Sequence, residues 1–251
     1  MIFFRRIYKL IAVNAWSAYC VVRTIPYRFR GWDGKKEIIA RFGHMWARGM
    51  AGILNLRVRV FGDRSGIPVG LIVSNHLGYL DIITHGVVFP LRYVSKKEIA
   101  KWPIVGWIVK SSQSVFVDRA SKKGSRQALR DFAKTMKHGI YLIVYPEGTS
   151  TDGENGILPF KSTAFEAAIY GDMPITPILT LYKEKRGRDT VCWYGDMTFF
   201  PHFWRVLGLS SIRAEVHILP VYYPGSKSRK EAANDLHDLM DKEYRKLCRK
   251  G

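Results

Sequence analysis

From residue 57 onward, short runs of apolar and β-branched residues alternate with stretches of helical periodicity. Apolar runs bounded by turn-forming residues predict strands, and apolar residues spaced three or four apart predict helices. Because strands that alternate with helices favour a sheet with helices on its faces, we expect a single α/β domain with a central mixed, partly parallel sheet flanked by helices. The predicted strands cover 57–62, 70–74, 92–95, 114–117, 140–145, 175–181 and 212–219, and the predicted helices 79–88, 97–109, 124–137, 162–170 and 235–250.

The first 56 residues are predicted to form a helical hairpin that precedes the α/β domain of residues 57–251. A first apolar helix is broken at Pro26, and a second helix follows over 35–54. No run of about 18 uninterrupted apolar residues occurs, so the sequence gives no clear membrane-spanning helix.

The composition of the first helix is typical of a helix that lies in a membrane interface. Bulky apolar side chains, Phe3, Phe4 and Trp16 among them, would insert between lipids, and flanking cations such as Lys9 would meet lipid phosphates. Trp102 and Trp107, bracketed by lysines, indicate a second interfacial segment. An ordinary core hairpin with a solvated basic rim stays open as the alternative.

The charge of the chain predicts an anionic partner. The sequence has 40 Lys and Arg against 21 Asp and Glu, a formal net charge of +19. Nucleic acid, an anionic membrane surface and an acidic carrier protein are the candidates. The basic residues are scattered and form no nucleic-acid recognition motif, so we expect anionic membrane lipids and no nucleic acid.

The cysteines and histidines predict neither disulfides nor a metal site. The three cysteines, Cys20, Cys192 and Cys248, are far apart and form no CxxC pair, which favours a reducing, cytoplasm-facing setting. The histidines show no HExxH spacing, so no metal is expected.

The chemistry is predicted to lie where the strand at 70–74 ends. His76 follows this strand and Asp81 follows five residues later. On a regular helix the two side chains would point about 140° apart, so they meet only if His76 precedes the helix and Asp81 lies in its first turn. Gly78 permits that bend. The carboxylate would then hold one imidazole nitrogen and leave the other to accept a proton, although a merely structural pair fits the spacing equally well.

His76 and Asp81 resemble the HX4D motif of the glycerolipid acyltransferases, the family of the 1-acylglycerol-3-phosphate acyltransferases. Three further blocks resemble the family's later motifs in order: Phe-Val-Asp-Arg at 116–119, Tyr-Pro-Glu-Gly-Thr at 145–149 and Ile-Thr-Pro-Ile at 175–178. The resemblance covers roughly residues 70 to 180. Each motif alone is weakly specific, whereas four in order are strongly indicative.

The resemblance implies an enzyme that moves a fatty acyl group from a thioester, acyl-CoA or acyl carrier protein, to the free hydroxyl of a lysolipid. His76 would be the general base and Asp81 would orient it, with no further cofactor. The enzyme would work at the cytoplasmic face of the inner membrane as a peripheral, monotopic protein. By the same resemblance, the acceptor would be bound by Arg119, Glu147, Gly148 and Thr149, with Lys96 and Lys161 as further cations.

The chain departs from the family pattern where the acceptor phosphate would bind. Phosphate-accepting members commonly continue the third motif with Arg, whereas this chain has Ser150, and Gln113 replaces the usual glycine of the second motif. Either another cation compensates or the acceptor is not lysophosphatidic acid. We place lysophosphatidic acid ahead of lyso-ornithine lipid, an amino-acid lipid used by related bacterial enzymes.

Two other functions stay open in the sequence. Ser74 lies close enough to His76 for a serine hydrolase, although the GxSxG elbow is missing. A basic protein that binds nucleic acid or membranes without catalysis would explain the charge but not the ordered motifs.

Overall fold

A computed structural model describes residues 1–96, 113–117, 122–183 and 190–249. Seven strands form one sheet in the order β1, β7, β6, β2, β5, β3, β4. Every neighbouring pair is parallel except β6 and β7, which are antiparallel, so the predicted mixed, partly parallel sheet is confirmed. The strands are β1 Leu56–Phe61, β2 Leu71–Ser74, β3 Leu91–Lys96, β4 Val115–Val117, β5 Tyr141–Val144, β6 Ile175–Tyr182 and β7 Ile212–Ile218.

Helices cover both faces of the sheet, as the alternating pattern predicts. A π-helical turn at Ile38–Gly43 joins the second and third helices, so the predicted helix at 35–54 is interrupted. The predicted helix at 97–109 lies outside the described residues. The helices are α1 Ile2–Thr24, α2 Gly31–Glu37, α3 His44–Leu54, α4 Leu80–Val88, α5 Lys122–Lys137, α6 Glu166–Gly171, α7 Phe199–Leu207 and α8 Arg229–Arg249.

Two apolar clusters hold these layers together. One surrounds Phe165 and joins α5, α6 and α8 to the central strands, and Phe165 is fully buried. The other surrounds Leu54 and Leu207 and joins α1, α3 and α7 to β1 and β7. The second cluster anchors the N-terminal helices to the α/β body.

Lys9 does not meet lipid phosphates as expected. Its side chain is 5% exposed, and its ammonium donates to the carbonyls of Leu54, 3.0 Å away, and Leu209, 2.9 Å away. Because α3 ends at Leu54 and α7 ends two residues before Leu209, these carbonyls lack helical partners. Lys9 therefore ties α1 to the ends of two other helices, and burial lowers its pKa.

Trp16, expected at the membrane interface, is half-buried and also contacts a second helix. Its indole nitrogen donates to the carbonyl of Trp46 over 3.0 Å, and its ring packs so closely on Gly49 that no side chain would fit there. The glycine thus lets α1 and α3 approach each other, and Trp16 serves that contact.

The outer side of α1 is apolar and exposed along its whole length. Phe4 is 76% exposed, Tyr8 67%, Ile11 63% and Val22 58%. Phe3 belongs to the same exposed end, although its ring also contacts Trp204 edge to face. Within the described part of the chain, no helix is both long and apolar enough to cross a membrane.

Candidate active site

The candidate site lies in the loop that joins β2 to α4. Asn75, the first residue after β2, forms two hydrogen bonds with the backbone of Thr180 in neighbouring β6, at 3.0 and 2.8 Å. Asn75 is 2% exposed. The loop is therefore fixed to the sheet directly before His76, at the carboxyl end of parallel strands, where ligands of open α/β sheets bind.

His76 and Asp81 meet as their spacing predicts. The Nδ1 of His76 lies 2.8 Å from the Oδ2 of Asp81. His76 precedes α4 and Asp81 is the second residue of that helix, while Gly78 between them has a φ of +149°. The imidazole is 22% exposed and the carboxylate is fully buried. Because Nδ1 is engaged, Nε2 is the nitrogen available to accept a proton from a ligand.

The buried carboxylate of Asp81 is held by donors on both oxygens. Oδ2 accepts hydrogen bonds from the backbone nitrogens of Leu77 at 2.7 Å and Gly78 at 3.1 Å, and Oδ1 accepts one from the hydroxyl of Tyr182 at 2.9 Å. Burial raises the pKa of Asp81, but these bonds and the neighbouring His76 outweigh burial and hold the pKa below its usual value. Asp81 is therefore an ionised partner for His76.

A second layer of side chains supports the imidazole from behind. The ring of Tyr145 stacks on His76 with 4.2 Å between ring centroids, and its hydroxyl lies 2.9 Å from the Nδ1 of His85. His85 is fully buried and its Nε2 lies 2.6 Å from the hydroxyl of Thr180. Burial lowers the pKa of His85 to about 4, so this second histidine is neutral at physiological pH.

Glu147 occupies a different place from the one expected for an acceptor ligand. Its side chain is 3% exposed. Oε1 accepts a hydrogen bond from the backbone nitrogen of His76 at 2.7 Å, and Oε2 accepts one from the backbone nitrogen of Leu158 at 3.0 Å. Burial raises the pKa of Glu147 to about 7, against the lowering effect of these two bonds. Glu147 therefore fixes the backbone of the loop between β2 and α4.

Lys161 lies beside the motif in which a cation was expected. A β-carbon at Gly148 would come 2.4 Å from the ammonium nitrogen of Lys161, so this cation sits directly against the glycine. The backbone nitrogen of Lys161 donates to Pro146 over 2.9 Å, which ties the two segments together. Thr149, the next motif residue, is exposed. Lys161 thus places a cation beside Gly148 of the third motif, two residues before the uncharged Ser150.

The segment after β6, residues 190–198, closes over the loop between β2 and α4. The backbone nitrogen of Trp193 donates to the carbonyl of Leu77 at 2.8 Å, and the hydroxyl of Ser150 donates to the carbonyl of Trp193 at 2.6 Å. Tyr79 packs its ring near Trp193 and Phe199, so aromatic side chains line this side of the loop. Ser150 therefore joins the third motif to the closing segment.

The structure describes only some of the remaining predicted residues. Arg119, Trp102 and Trp107 lie outside the described residues, and Lys96 ends β3. Ser74 is fully buried, donates to the carbonyl of Asn75 and lies near His85, so it does not pair with His76.

Sequence reasoning missed the side chains that support the dyad of His76 and Asp81 from distant positions in the chain. Tyr182 and His85 carry no motif, and their partners come from other strands, so spacing alone gave no signal for them. The aromatic segment of α7 was also missed as a helix. Among the described residues, no group of three His, Cys, Asp or Glu side chains is placed to hold a metal ion.

The fold and the site define an α/β enzyme in which a buried aspartate orients a partly exposed histidine. The acyltransferase family model matches residues 61–180. A lyso-ornithine lipid O-acyltransferase of Rhodobacter capsulatus is 39% identical over 63% of this chain and 58% of its own length. One of Pseudomonas aeruginosa is 30% identical over 71% of this chain and 67% of its own length. The chain belongs to the acyltransferase family.

More distant relatives agree with that assignment. A 1-acyl-sn-glycerol-3-phosphate acyltransferase of Neisseria meningitidis is 26% identical over 87% of this chain and 85% of its own length. The crystal structure of the 1-acyl-sn-glycerophosphate acyltransferase PlsC of Thermotoga maritima superposes with a TM-score of 0.70 and 20% identity. The superposition covers 98% of this chain and 95% of that chain, so the two share a fold.

Proposed function

We propose that this enzyme transfers a fatty acyl group from a thioester to the free hydroxyl of lyso-ornithine lipid. The observation that carries the transfer is the 2.8 Å contact of His76 with Asp81, with Nδ1 engaged and the ring partly exposed. The relative that is 39% identical carries the name of this activity. The thioester is acyl-CoA or an acylated carrier protein, and the reaction needs no further cofactor.

The reaction follows from the position of the imidazole. Nε2 of His76 takes the proton of the acceptor hydroxyl while that oxygen attacks the thioester carbonyl carbon. A new C–O bond forms, the C–S bond breaks, and the leaving thiolate takes the proton from the imidazolium. Asp81 stabilises the positive charge that His76 carries between the two steps.

The choice of acceptor rests on Ser150. Phosphate-accepting members commonly have an arginine at this position, and here a neutral hydroxyl bonds to the carbonyl of Trp193. A lipid with an amino-acid head group needs less positive charge than a phosphate monoester does. Lyso-ornithine lipid is therefore placed ahead of lysophosphatidic acid, the reverse of the order expected from the sequence motifs.

Lysophosphatidic acid is the second candidate, and the position of Lys161 is compatible with it. The ammonium beside Gly148 could bind a phosphate in place of the missing arginine. The same ammonium would also bind the carboxylate of an amino-acid lipid, so Lys161 supports either acceptor.

We further propose that the protein docks peripherally on the cytoplasmic face of the inner membrane through α1. Phe4, Tyr8, Ile11 and Val22 lie three, four or eleven residues apart, which places them along one side of the helix. Twenty-three residues span about 35 Å, long enough for a continuous apolar stripe in the interface. A groove of about 780 Å³ lies between Trp16 of α1 and residues 40–49, most of which belong to α3. Arg41 and Arg48 line this groove, and their positive charge suits anionic lipids.

One assay tests the reaction and its acceptor. The purified enzyme receives lyso-ornithine lipid or lysophosphatidic acid, each with radiolabelled acyl-CoA and, separately, acylated carrier protein. We expect labelled ornithine lipid as the main product. Faster formation of phosphatidic acid would establish the second candidate, and no ester from either acceptor would refute both.

A second assay tests membrane docking. We expect Ile11→Ser with Val22→Ser to reduce co-sedimentation with vesicles of phosphatidylglycerol and phosphatidylethanolamine. Ser65→Ala, in an exposed turn far along the chain, is the matched surface control. Unchanged sedimentation of the double variant would contradict docking through α1.

A further inference from the structure

Behind the dyad, two hydroxyl groups form a chain that ends on Asp81. The hydroxyl of Tyr182, the last residue of β6, lies 2.9 Å from Oδ1 of Asp81. The hydroxyl of Thr84, one turn after Asp81 in α4, lies 3.0 Å from the hydroxyl of Tyr182. Thr84 and Asp81 are both fully buried.

The direction of each hydrogen bond follows from the number of protons available. An ionised carboxylate only accepts, so the single proton of Tyr182 is directed at Oδ1. The phenol oxygen then has only lone pairs to offer Thr84, whose hydroxyl must donate. The chain therefore runs from Thr84 to Tyr182 to Asp81, and Asp81 in turn holds Nδ1 of His76.

Tyr182 is the described donor to the oxygen of Asp81 that the loop does not reach. The backbone donors of Leu77 and Gly78 and the imidazole of His76 all bind Oδ2. Without the phenol, Oδ1 would be a buried carboxylate oxygen that lacks this donor, which is a costly state in a protein interior. Burial and the adjacent Asp81 raise the pKa of Tyr182 well above its usual value, so the phenol keeps its proton.

We propose that Tyr182 and Thr84 are positioning residues that set the proton affinity of His76 through Asp81. Donors that bond in sequence polarise one another, so the Thr84 hydroxyl strengthens the bond that Tyr182 makes. A carboxylate that is well satisfied on Oδ1 attracts the proton of the imidazolium less strongly, so the two hydroxyls weaken the hold of Asp81 on that proton. This inference rests on the proposed role of His76 as general base.

The substitutions that test this chain leave the other titratable groups near the dyad in place. The neutral His85 and the stacked Tyr145 bond to each other and not to Tyr182. The described titratable groups that interact with Asp81, His76 or Tyr182 are His85 of α4, Tyr93 of β3, Tyr145 and Glu147 after β5, and Cys192 after β6.

Three substitutions test the chain. Tyr182→Phe removes the donor to Oδ1, Thr84→Val removes only the second hydroxyl, and Thr84→Ser keeps it. Tyr141→Phe is the matched control, because its hydroxyl donates to the carbonyl of Ile67 over 2.9 Å, away from the dyad. The two readouts are the pH profile of kcat/KM with the proposed acceptor and the titration of His76 followed by NMR.

We expect Tyr182→Phe to move the titration of His76 upward by about one pH unit, and so to lower kcat/KM about 10-fold at pH values where the imidazole is mostly protonated, with little change at high pH. Thr84→Val should shift the titration in the same direction by less, and Thr84→Ser should restore the wild-type titration. Because Thr84 acts through the phenol, Thr84→Val should add nothing in a Tyr182→Phe background.

Three results would overturn the proposal, the first two of them in the Tyr182→Phe and double variants. One is an unshifted His76 titration in Tyr182→Phe, and another is additive effects in the double variant. The third is an equal loss of rate at every pH, shared by Tyr141→Phe, which would mean that the phenol serves packing alone. Since NMR reports His76 without turnover, failure of the proposed acyl transfer remains separable from failure of the chain.

Discussion

The α-carbon of Gly78 lies so close to Trp193 that a β-carbon would come 2.8 Å from the Trp193 backbone nitrogen. That nitrogen donates to the carbonyl of Leu77, so the glycine lets the segment after β6 pack on the loop between β2 and α4. We expect Gly78→Ala to lower the free energy of unfolding by about 1–3 kcal/mol and to reduce kcat, because the loop must shift.

Gly195 provides the control for that substitution. It also has a positive φ, +57°, but a β-carbon there meets nothing within 4 Å. Gly195→Ala should therefore cost about 1 kcal/mol of backbone strain and leave kcat unchanged. Urea unfolding and initial rates of acyl transfer measure both effects, and equal losses of kcat in the two variants would argue against the close contact as the cause.

The dyad predicts a division between catalysis and membrane binding. His76→Ala should abolish acyl transfer, and Asp81→Asn should lower kcat by about two to four orders of magnitude, because an amide neither fixes the tautomer nor stabilises the imidazolium. Vesicle sedimentation should be unchanged, since α1 lies elsewhere. Circular dichroism checks that each variant is folded, and substantial transfer by folded His76→Ala would exclude the general-base role.

The parts of this protein that depend on local patterns were predictable from sequence. One short segment contains the strand before His76, the glycine at 78 and the five-residue spacing to Asp81. The turn that brings His76 and Asp81 together was therefore predictable from local sequence. The four motifs in order also predicted the family. The strands were found because buried parallel strands are marked by β-branched runs.

The parts that depend on tertiary contacts were not predictable. Tyr182 reaches Asp81 from 101 positions away, and nothing beside it in the sequence indicates that contact. The residues around Lys9 in the sequence predict a lipid contact. In the structure its ammonium instead donates to carbonyls at the ends of α3 and α7, which are distant in sequence. Glu147 was expected at the acceptor pocket, and no sequence pattern indicates that its carboxylate accepts hydrogen bonds from two backbone nitrogens, one of them in the loop that follows β5.

The buried histidine behind the dyad predicts a pH dependence of stability. Burial lowers the pKa of His85 from 6.5 to about 4, so the folded protein resists protonation that the unfolded chain accepts. The stability that this provides is complete above about pH 6.5 and is lost as the pH falls towards 4. The difference amounts to roughly 3 kcal/mol.

His85→Gln tests this dependence, because glutamine does not titrate. Between pH 7 and pH 4, the variant should lose less unfolding free energy than the wild type, whatever its stability at pH 7. His202, whose pKa burial also lowers, is present in both proteins and cancels in the comparison. Urea titrations at several pH values give the two curves, and parallel curves would show that His85 does not titrate as described.

The acceptor preference should respond to a charge at position 150. Ser150→Arg restores the cation that phosphate-accepting members commonly have, and a charged hydrogen bond to phosphate contributes about 1.5–3 kcal/mol. We expect the ratio of kcat/KM for lysophosphatidic acid to that for lyso-ornithine lipid to rise about tenfold or more. The lost bond from Ser150 to the carbonyl of Trp193 affects both acceptors alike, so the ratio is the informative quantity.

Ser150→Gln, of intermediate length and without charge, is the control and should leave the ratio near its original value. A similar rise for Gln and Arg would mean that side-chain length, and not charge, governs the acceptor pocket at this position.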